Sequence, residues 1–186
     1  MAKLMIHGNE ARRALARGVH KLSAAVESTL GPLGMNAMID RPIGTPMISR
    51  DGVSIASEVE QVLREVSMQT NDVAGDGTTT SIVLANGMIQ SGVALIEKGA
   101  RAVELSRGIA LAVAATTENL RAAAKQVTDQ SVFAAVATIS ASGPELGGLV
   151  AEAFARVGAK GIISTDYGTT IETTLSVLDG MSFERG

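Results

Sequence analysis

The sequence predicts a mainly α protein, with a multihelical first part interrupted by a small β-hairpin and followed by an α/β segment. Three observations carry this prediction. Apolar residues recur every three or four positions over several long stretches, the period of one helix face. Two short β-like runs flank a turn rich in proline and glycine around residue 44. Toward the last residues the apolar period shortens to two, as in a half-buried strand.

The first helical stripe runs through Ala11, Leu15, Val19, Leu22, Val26 and Leu30. Asn9 is placed to cap its start, and Gly31-Pro32 stops it. Met35–Asp40 and Met47–Arg50 then form the expected hairpin, joined through Pro42-Ile43-Gly44-Thr45-Pro46, with a second turn at Asp51-Gly52. Ile55, Val59, Val62, Leu63 and Val66 read as one continuous helix that breaks near Gly75-Asp76-Gly77. Another follows at once on Ile82, Ala85, Ile89, Val93 and Ile96, closing at Gly99. The next uses Leu105, Ile109, Val113, Thr116, Leu120 and Val127.

Character changes after that, which sets a domain junction at residues 122–130. Ser142-Gly143-Pro144-Glu145 combines a capping box with proline at the first helical position. Its helix carries Leu146, Leu149, Val150, Ala153, Phe154 and Val157 as far as Gly158. A strand at Ile162–Thr165, a turn at Asp166–Gly168 and a strand at Thr170–Val177 complete the reading.

Composition narrows the class of partner. Of 186 residues 46% are hydrophobic but only 2% aromatic, so small aliphatic side chains must fill the core, which suits closely packed helices. The net charge of −3 disfavours a nucleic-acid partner, which would call for a basic face. With no cysteine, disulfides and thiolate metal sites are excluded. The first residues, MAKLMIHGNEARR, carry charge throughout and lack the apolar centre of a signal peptide. No apolar run is read as the roughly 20 residues of a membrane span. The expectation is a cytoplasmic protein without nucleic-acid or membrane partners.

Chemistry is concentrated in a few turns. Asn71–Thr80 places two glycines, Asp76 and three threonines directly before a helix. Such a start offers unpaired amides and a partial positive charge to phosphate, and Asp76 could hold Mg²⁺ against phosphate oxygens. The same residue types also make an ordinary helix cap, so residue types alone leave both readings open. Thr29-Leu30-Gly31-Pro32-Leu33-Gly34 reads as a C-cap followed by proline. Arg50-Asp51-Gly52 reads as a turn in which Asp51 could orient a water. Thr138–Ser142 sits between two helices and could cap the second. There is no GxxxxGK[ST] loop and no GxGxxG after a strand. His7 and His20 have no partner at metal-ligand spacing, and no nucleophilic triad can be assembled.

Taken in order, these segments resemble the amino-terminal portion of the group I chaperonins of Hsp60 type. Thr29–Gly34 (TLGPLG) is similar to the family's TLGPKG turn and Ser49–Ser54 (SRDGVS) to its TKDGVS turn. Gly75–Thr80 (GDGTTT) resembles the family's phosphate loop at every position. Thr138–Ala141 (TISA), Gly161–Gly168 and Asp179–Gly186 match further segments. The resemblance implies an equatorial ATPase domain part over residues 1–122, the first half of an intermediate domain over 123–180, and the start of an apical domain at 181–186. It implies a chaperonin subunit that binds ATP and Mg²⁺ and couples hydrolysis to domain motions enclosing unfolded polypeptide.

By the same resemblance Thr29, Leu30, Gly31, Pro32, Arg50, Asp51 and Gly52 line the nucleotide, with Asp51 near the γ-phosphate and the attacking water. Asp76 ligates Mg²⁺, Gly77, Thr78, Thr79 and Thr80 hold phosphates, and Ile139 and Ser140 touch the nucleotide from another side. Thr29, Arg50 and Thr79 approach a K⁺ site, and Gly180 falls at a hinge. The implied partners are further subunits in a homo-oligomeric ring, a small co-chaperonin lid and unfolded polypeptides.

Three departures qualify the resemblance. The chain has well under half the length of a full member, without the returning segment that carries the family's second aspartate, so slow ATP turnover is expected. It lacks about ten residues between Glu60 and Gln61. Leu33 and Arg50 each stand where the family has lysine, and arginine does not substitute freely for lysine. These departures keep a second reading open, a non-catalytic paralogue or fragment acting as an assembly or interaction module.

Overall fold

The computed structural model describes residues 5–31, 33–41, 44–59, 61–127, 129–141, 143–158, 161–168, 172–178 and 180. The chain divides into two compact units, Met1–Asn119 and Leu120–Gly186. It is mainly helical, as the periodicity requires, with one two-stranded sheet among the described residues.

In the first unit α1 spans Gly8–Glu27 and buries Ala16, Val19, Leu22, Ser23 and Val26. The predicted stripe is right at its centre and wrong at its ends. Leu15 is exposed, and Leu30 is exposed beyond the end of the helix at Glu27. Asn9 is not the cap: the helix begins earlier, at His7, and the Asn9 side chain accepts from Arg12 Nη1 within the first turn.

Strands β1 (Ala37–Ile39) and β2 (Met47–Ser49) pair antiparallel with Ala37 opposite Ser49 and Ile39 opposite Met47. Ala37 and Ile39 pack on the helical core, while Met38 and Ile48 face outward together, as alternation across a pleat demands. Pro42 and Ile43 of the connecting turn lie outside the described residues.

The single helix expected over Ile55–Val66 is two helices, α2 (Gly52–Val59) and α3 (Gln61–Ala74). A continuous rod could not return its carboxy-terminal end to the start of α4, whereas two helices packed on one another can. Ile55 and Ala56 of α2 and Leu63 of α3 are all fully buried in one cluster with Val19, Leu22 and Val26 of α1 and Ile82 and Ala85 of α4. Helix α4 spans Thr78–Glu97 and is pinned to α1 where Gln90 Nε2 donates to the Ala16 carbonyl at 2.7 Å.

By length and composition alone α4 could cross a membrane, which the sequence reading did not anticipate. Here it serves as a core helix, with Thr78, Ile82 and Ala85 buried and Ile89 packed on the cluster. Ser23 also sits in the interior of this unit, its hydroxyl buried without a partner among the described residues. Such a group costs about 1–3 kcal/mol relative to a satisfied one. Helix α5 (Ala102–Ala123) buries no residue at all, and Leu111, Val113 and Leu120 of its predicted apolar stripe and neighbouring positions are exposed. Val127, expected to continue that stripe, lies beyond its end.

The second unit contains α6 (Gln130–Ser140) and α7 (Pro144–Val157), which pack against one another. Thr138–Ser140, expected between two helices, form the last turn of α6. Asp129 starts that helix by accepting from Ser131 N, and Phe133 stacks on Phe154 of α7 at 5.9 Å between ring centroids. Gly147 is obligatory at the crossing, because a Cβ there would run into the Thr138 backbone. Pro144 occupies the first turn of α7 as predicted, while the expected cap Ser142 lies outside the described residues.

The two strands predicted beyond α7 are not formed as a ladder. Residues 161–168 and 172–178 run without strand pairing, and Thr170 and Ile171 lie outside the described residues. Alternation gives a segment a face to bury, but a strand also needs backbone hydrogen bonds to a neighbour. Here the two segments flank a cavity of about 420 Å³, lined in part by Val157, Ile162, Leu175 and Val177.

Candidate functional site

Three turns of the first unit meet at the amino-terminal end of α4. The turn before α4 is shaped by Gly75 and Gly77, at φ +69° and +83°, the left-handed region that a side chain would disfavour. Gly77 is the residue from which α4 departs, and the amides of the turn that follows have no carbonyl four residues back within the helix. Asp76 is exposed, and its Oδ1 accepts from Gly77 N at 2.6 Å. Thr78 is buried, Thr79 half-buried and Thr80 exposed.

The second turn, Arg50-Asp51-Gly52, lies directly against this helix start. A Cβ on Gly52 would come within 2.8 Å of Thr79 N and 3.0 Å of Thr79 Oγ1, so only glycine permits this approach of α2 to α4. Asp51 caps α2: its carboxylate accepts from Val53 N at 3.3 Å, Ser54 N at 3.0 Å and Ser54 Oγ at 2.7 Å. Thr78 Oγ1 donates to the same carboxylate at 3.4 Å and so joins α4 to it. Ser54 was not singled out in the sequence, although an aspartate followed three residues later by serine at a helix start is the visible signal for such a cap.

Partial burial pushes the Asp51 pKa up, but the hydrogen bonds from Ser54, Val53 and Thr78 outweigh it and hold the carboxyl below its ordinary value of 3.8. A group with a depressed folded pKa contributes stability above its unfolded pKa and loses it as pH falls through the folded value. Asp51→Asn is therefore expected to destabilise the first unit at neutral pH, with the difference from the parent protein shrinking below about pH 4. Urea midpoints of both proteins between pH 2 and 7 check this, and a difference that stays constant with pH would refute it.

The third turn follows α1. Thr29 is buried, and its hydroxyl donates to the Val26 carbonyl at 2.7 Å. Gly31 has φ +79°, and a Cβ on Gly34 would collide with the Thr29 carbonyl. Leu30 and Leu33 are exposed, and Pro32 lies outside the described residues. Arg50 Nη2 donates to the Gly31 carbonyl at 3.3 Å, which ties this turn to the second. Thr29–Gly31, Arg50–Gly52 and Asp76–Thr79 are thus linked by contacts that sequence spacing could not provide. Ile139 and Ser140 belong to the second unit, where both are exposed at the end of α6.

This arrangement can receive an anion and a divalent ion. Among the described residues no group of three or more His, Asp or Glu side chains could form a metal cage of protein ligands alone. Asp76 has one carboxylate oxygen engaged by Gly77 N and stands exposed beside free helix amides. That donor set suits Mg²⁺, which keeps waters and is commonly held by one or two carboxylates together with phosphate oxygens.

A mainly helical chain with one small two-stranded sheet, whose glycine turns converge on an Asp-Gly-Thr-Thr helix start, has the fold of a chaperonin fragment. The model of the TCP-1/cpn60 chaperonin family matches residues 22–186, and the chain belongs to that family. More particularly, it corresponds to an amino-terminal portion of a GroEL-type chaperonin. It is 62% identical to Chaperonin GroEL 4 of Bradyrhizobium diazoefficiens, an alignment covering all of this chain and 36% of that protein. The aligned stretch counts 196 positions, ten more than the 186 residues of the chain, the same size as the shortfall expected between Glu60 and Gln61. A group III chaperonin crystallised in the open state is similar in structure, with a TM-score of 0.69 and 28% identity over 81% of this chain and 32% of that one. The chain spans about a third of the length of these relatives.

Proposed function

We propose that this chain is the nucleotide-binding portion of an ATP-dependent, cytoplasmic protein-folding chaperonin subunit, and that it binds Mg-ATP at the three converging turns. The observation that carries the reading is the junction of Asp51 and Gly52 with Thr78 and Thr79. It brings an ionised carboxylate up to a helix start whose amides suit phosphate. Family membership supports the same reading.

In this reading Gly77, Thr78, Thr79 and Thr80 donate to phosphate oxygens, and Asp76 holds Mg²⁺. Thr29, Leu30 and Gly31 line the nucleotide together with Arg50, Asp51 and Gly52. When bound, Mg-ATP supplies the phosphoanhydride whose hydrolysis drives domain motion in the assembled ring around unfolded polypeptide, beneath a co-chaperonin lid. Asp51 orients the attacking water. Its carboxylate is already engaged by Val53, Ser54 and Thr78 and is held at low pKa, so by itself it is a weak general base.

Calorimetric titration with Mg-ATP is expected to show binding, while a phosphate-release assay shows turnover far below that of full-length relatives. Absence of binding heat would overturn the reading and favour the alternative, an assembly or interaction module without nucleotide. One observation speaks for that alternative: the unburied α5, with exposed Leu111, Val113 and Leu120, offers an apolar surface to a partner.

A further inference from the structure

We propose that Ser54 and Thr78 hold the two oxygens of the Asp51 carboxylate unequally, one fixed and one releasable, so that phosphate at the start of α4 draws the Thr78 hydroxyl away and opens Oδ1 to the attacking water. The inference rests on the nucleotide reading above and deepens it.

Oδ2 is the fixed oxygen. It accepts from Ser54 Oγ at 2.7 Å and from Ser54 N at 3.0 Å, both ordinary hydrogen-bond lengths. Behind it the Asp51 amide donates to Ser49 Oγ at 3.0 Å, which holds the backbone of the turn. Two bonds from one residue keep the carboxylate in its orientation. Oδ1 is held more loosely, by Val53 N at 3.3 Å and by Thr78 Oγ1 at 3.4 Å. The Thr78 bond is longer than a hydroxyl donor normally makes. It exists at all because Gly52, lacking a Cβ, lets the start of α2 approach Thr79 of α4.

A carboxylate oxygen has about two lone-pair directions, and Val53 N and Thr78 Oγ1 take those of Oδ1. The empty site therefore has no acceptor left on Asp51 for a water. A threonine hydroxyl has one proton, so Thr78 donates either to Asp51 or to a phosphate oxygen. An ionised phosphate oxygen at ordinary distance is the better acceptor than a carboxylate at 3.4 Å. Thr78 is buried, so the exchange is a turn of its O–H bond and not a repacking of its side chain. Once the proton has turned, Oδ1 keeps Val53 N and faces the start of α4 with one direction vacant. The site accepts its water only when phosphate is present.

The test is the ¹³C shift of the Asp51 side-chain carboxylate at neutral pH, before and after saturation with Mg-ATP, with calorimetry on the same samples. It is read in the 186-residue chain and in Thr78→Val, Thr78→Ser and Ser54→Ala. The parent signal is expected to move on binding, and that of Thr78→Ser to move as far, because serine keeps the hydroxyl. Thr78→Val is expected to bind about tenfold more weakly and to show less than about half of the parent displacement. Ser54→Ala is expected to shift the signal of the free chain but to keep the full response to Mg-ATP, since Thr78 is intact. A response in Thr78→Val equal to the parent's would assign the displacement to nucleotide charge and overturn the inference. Loss of the response in Ser54→Ala would overturn the division into a fixed and a releasable oxygen. A parent signal that stays still while calorimetry shows binding overturns the inference without any variant and leaves the nucleotide reading intact. No binding heat overturns the nucleotide reading, and the inference with it.

Discussion

Asp76→Ala is expected to weaken Mg-ATP binding by at least about 100-fold, close to 2.7 kcal/mol, and so to remove the calorimetric signal at practical concentrations. Asp76 is exposed and among the described residues accepts from the neighbouring Gly77 amide, so the substitution removes no buried contact. Thermal melts of the variant should therefore match the parent chain within a few degrees, which separates lost binding from lost structure. Asp76→Asn refines the result: it keeps an acceptor for Gly77 N but lacks the charge that holds Mg²⁺. It should fail nearly as badly. Unchanged affinity in the alanine variant would refute the assignment of the divalent ion to Asp76.

Leu63→Ala has the largest expected effect on stability. Leu63 is fully buried in the cluster shared by α1, α2, α3 and α4, and truncating such a leucine costs about 2–5 kcal/mol through lost burial and a residual cavity. A unit of ordinary stability has about 5–15 kcal/mol in all, so the variant should unfold at much lower urea. The neighbouring Val62 is 44% exposed, and Val62→Ala should change stability by no more than about 0.5 kcal/mol. Circular dichroism during urea titration reads both. Equal, small effects would show that the junction between α2 and α3 leaves Leu63 outside the core. The contrast thus tests the packing of that junction.

Much of the molecule was legible in the residues. Helical periodicity located α1, α4, α5 and α7, because an apolar residue at every third or fourth position is the spacing of one helix face, whether or not that face is then covered. Alternation and turn residues located the hairpin. The order of TLGPLG, SRDGVS and GDGTTT pointed to the chaperonin family by resemblance, whereas the residue types alone fit ordinary caps and turns as well. What failed did so where a partner element decides. The division into α2 and α3 was hidden because the apolar residues on either side keep helical phase, and the burial of both Ile55 and Leu63 follows from packing alone. The residues beyond α7 have a strand's alternation, yet a ladder also depends on a neighbour's backbone. Leu111 and Leu120 of α5 look like core by composition, yet among the described residues nothing covers them.

By itself, then, the sequence determined the helical class, the hairpin and the family, since each is written in local periodicity or in short runs of residues. Tertiary structure decided which turns meet: Gly52 against Thr79, Thr78 on Asp51, and Arg50 on Gly31. These contacts join residues 19 to 27 positions apart, and no local pattern fixes them. They arise because four helices burying small aliphatic side chains around one cluster bring the ends of those helices to a common edge.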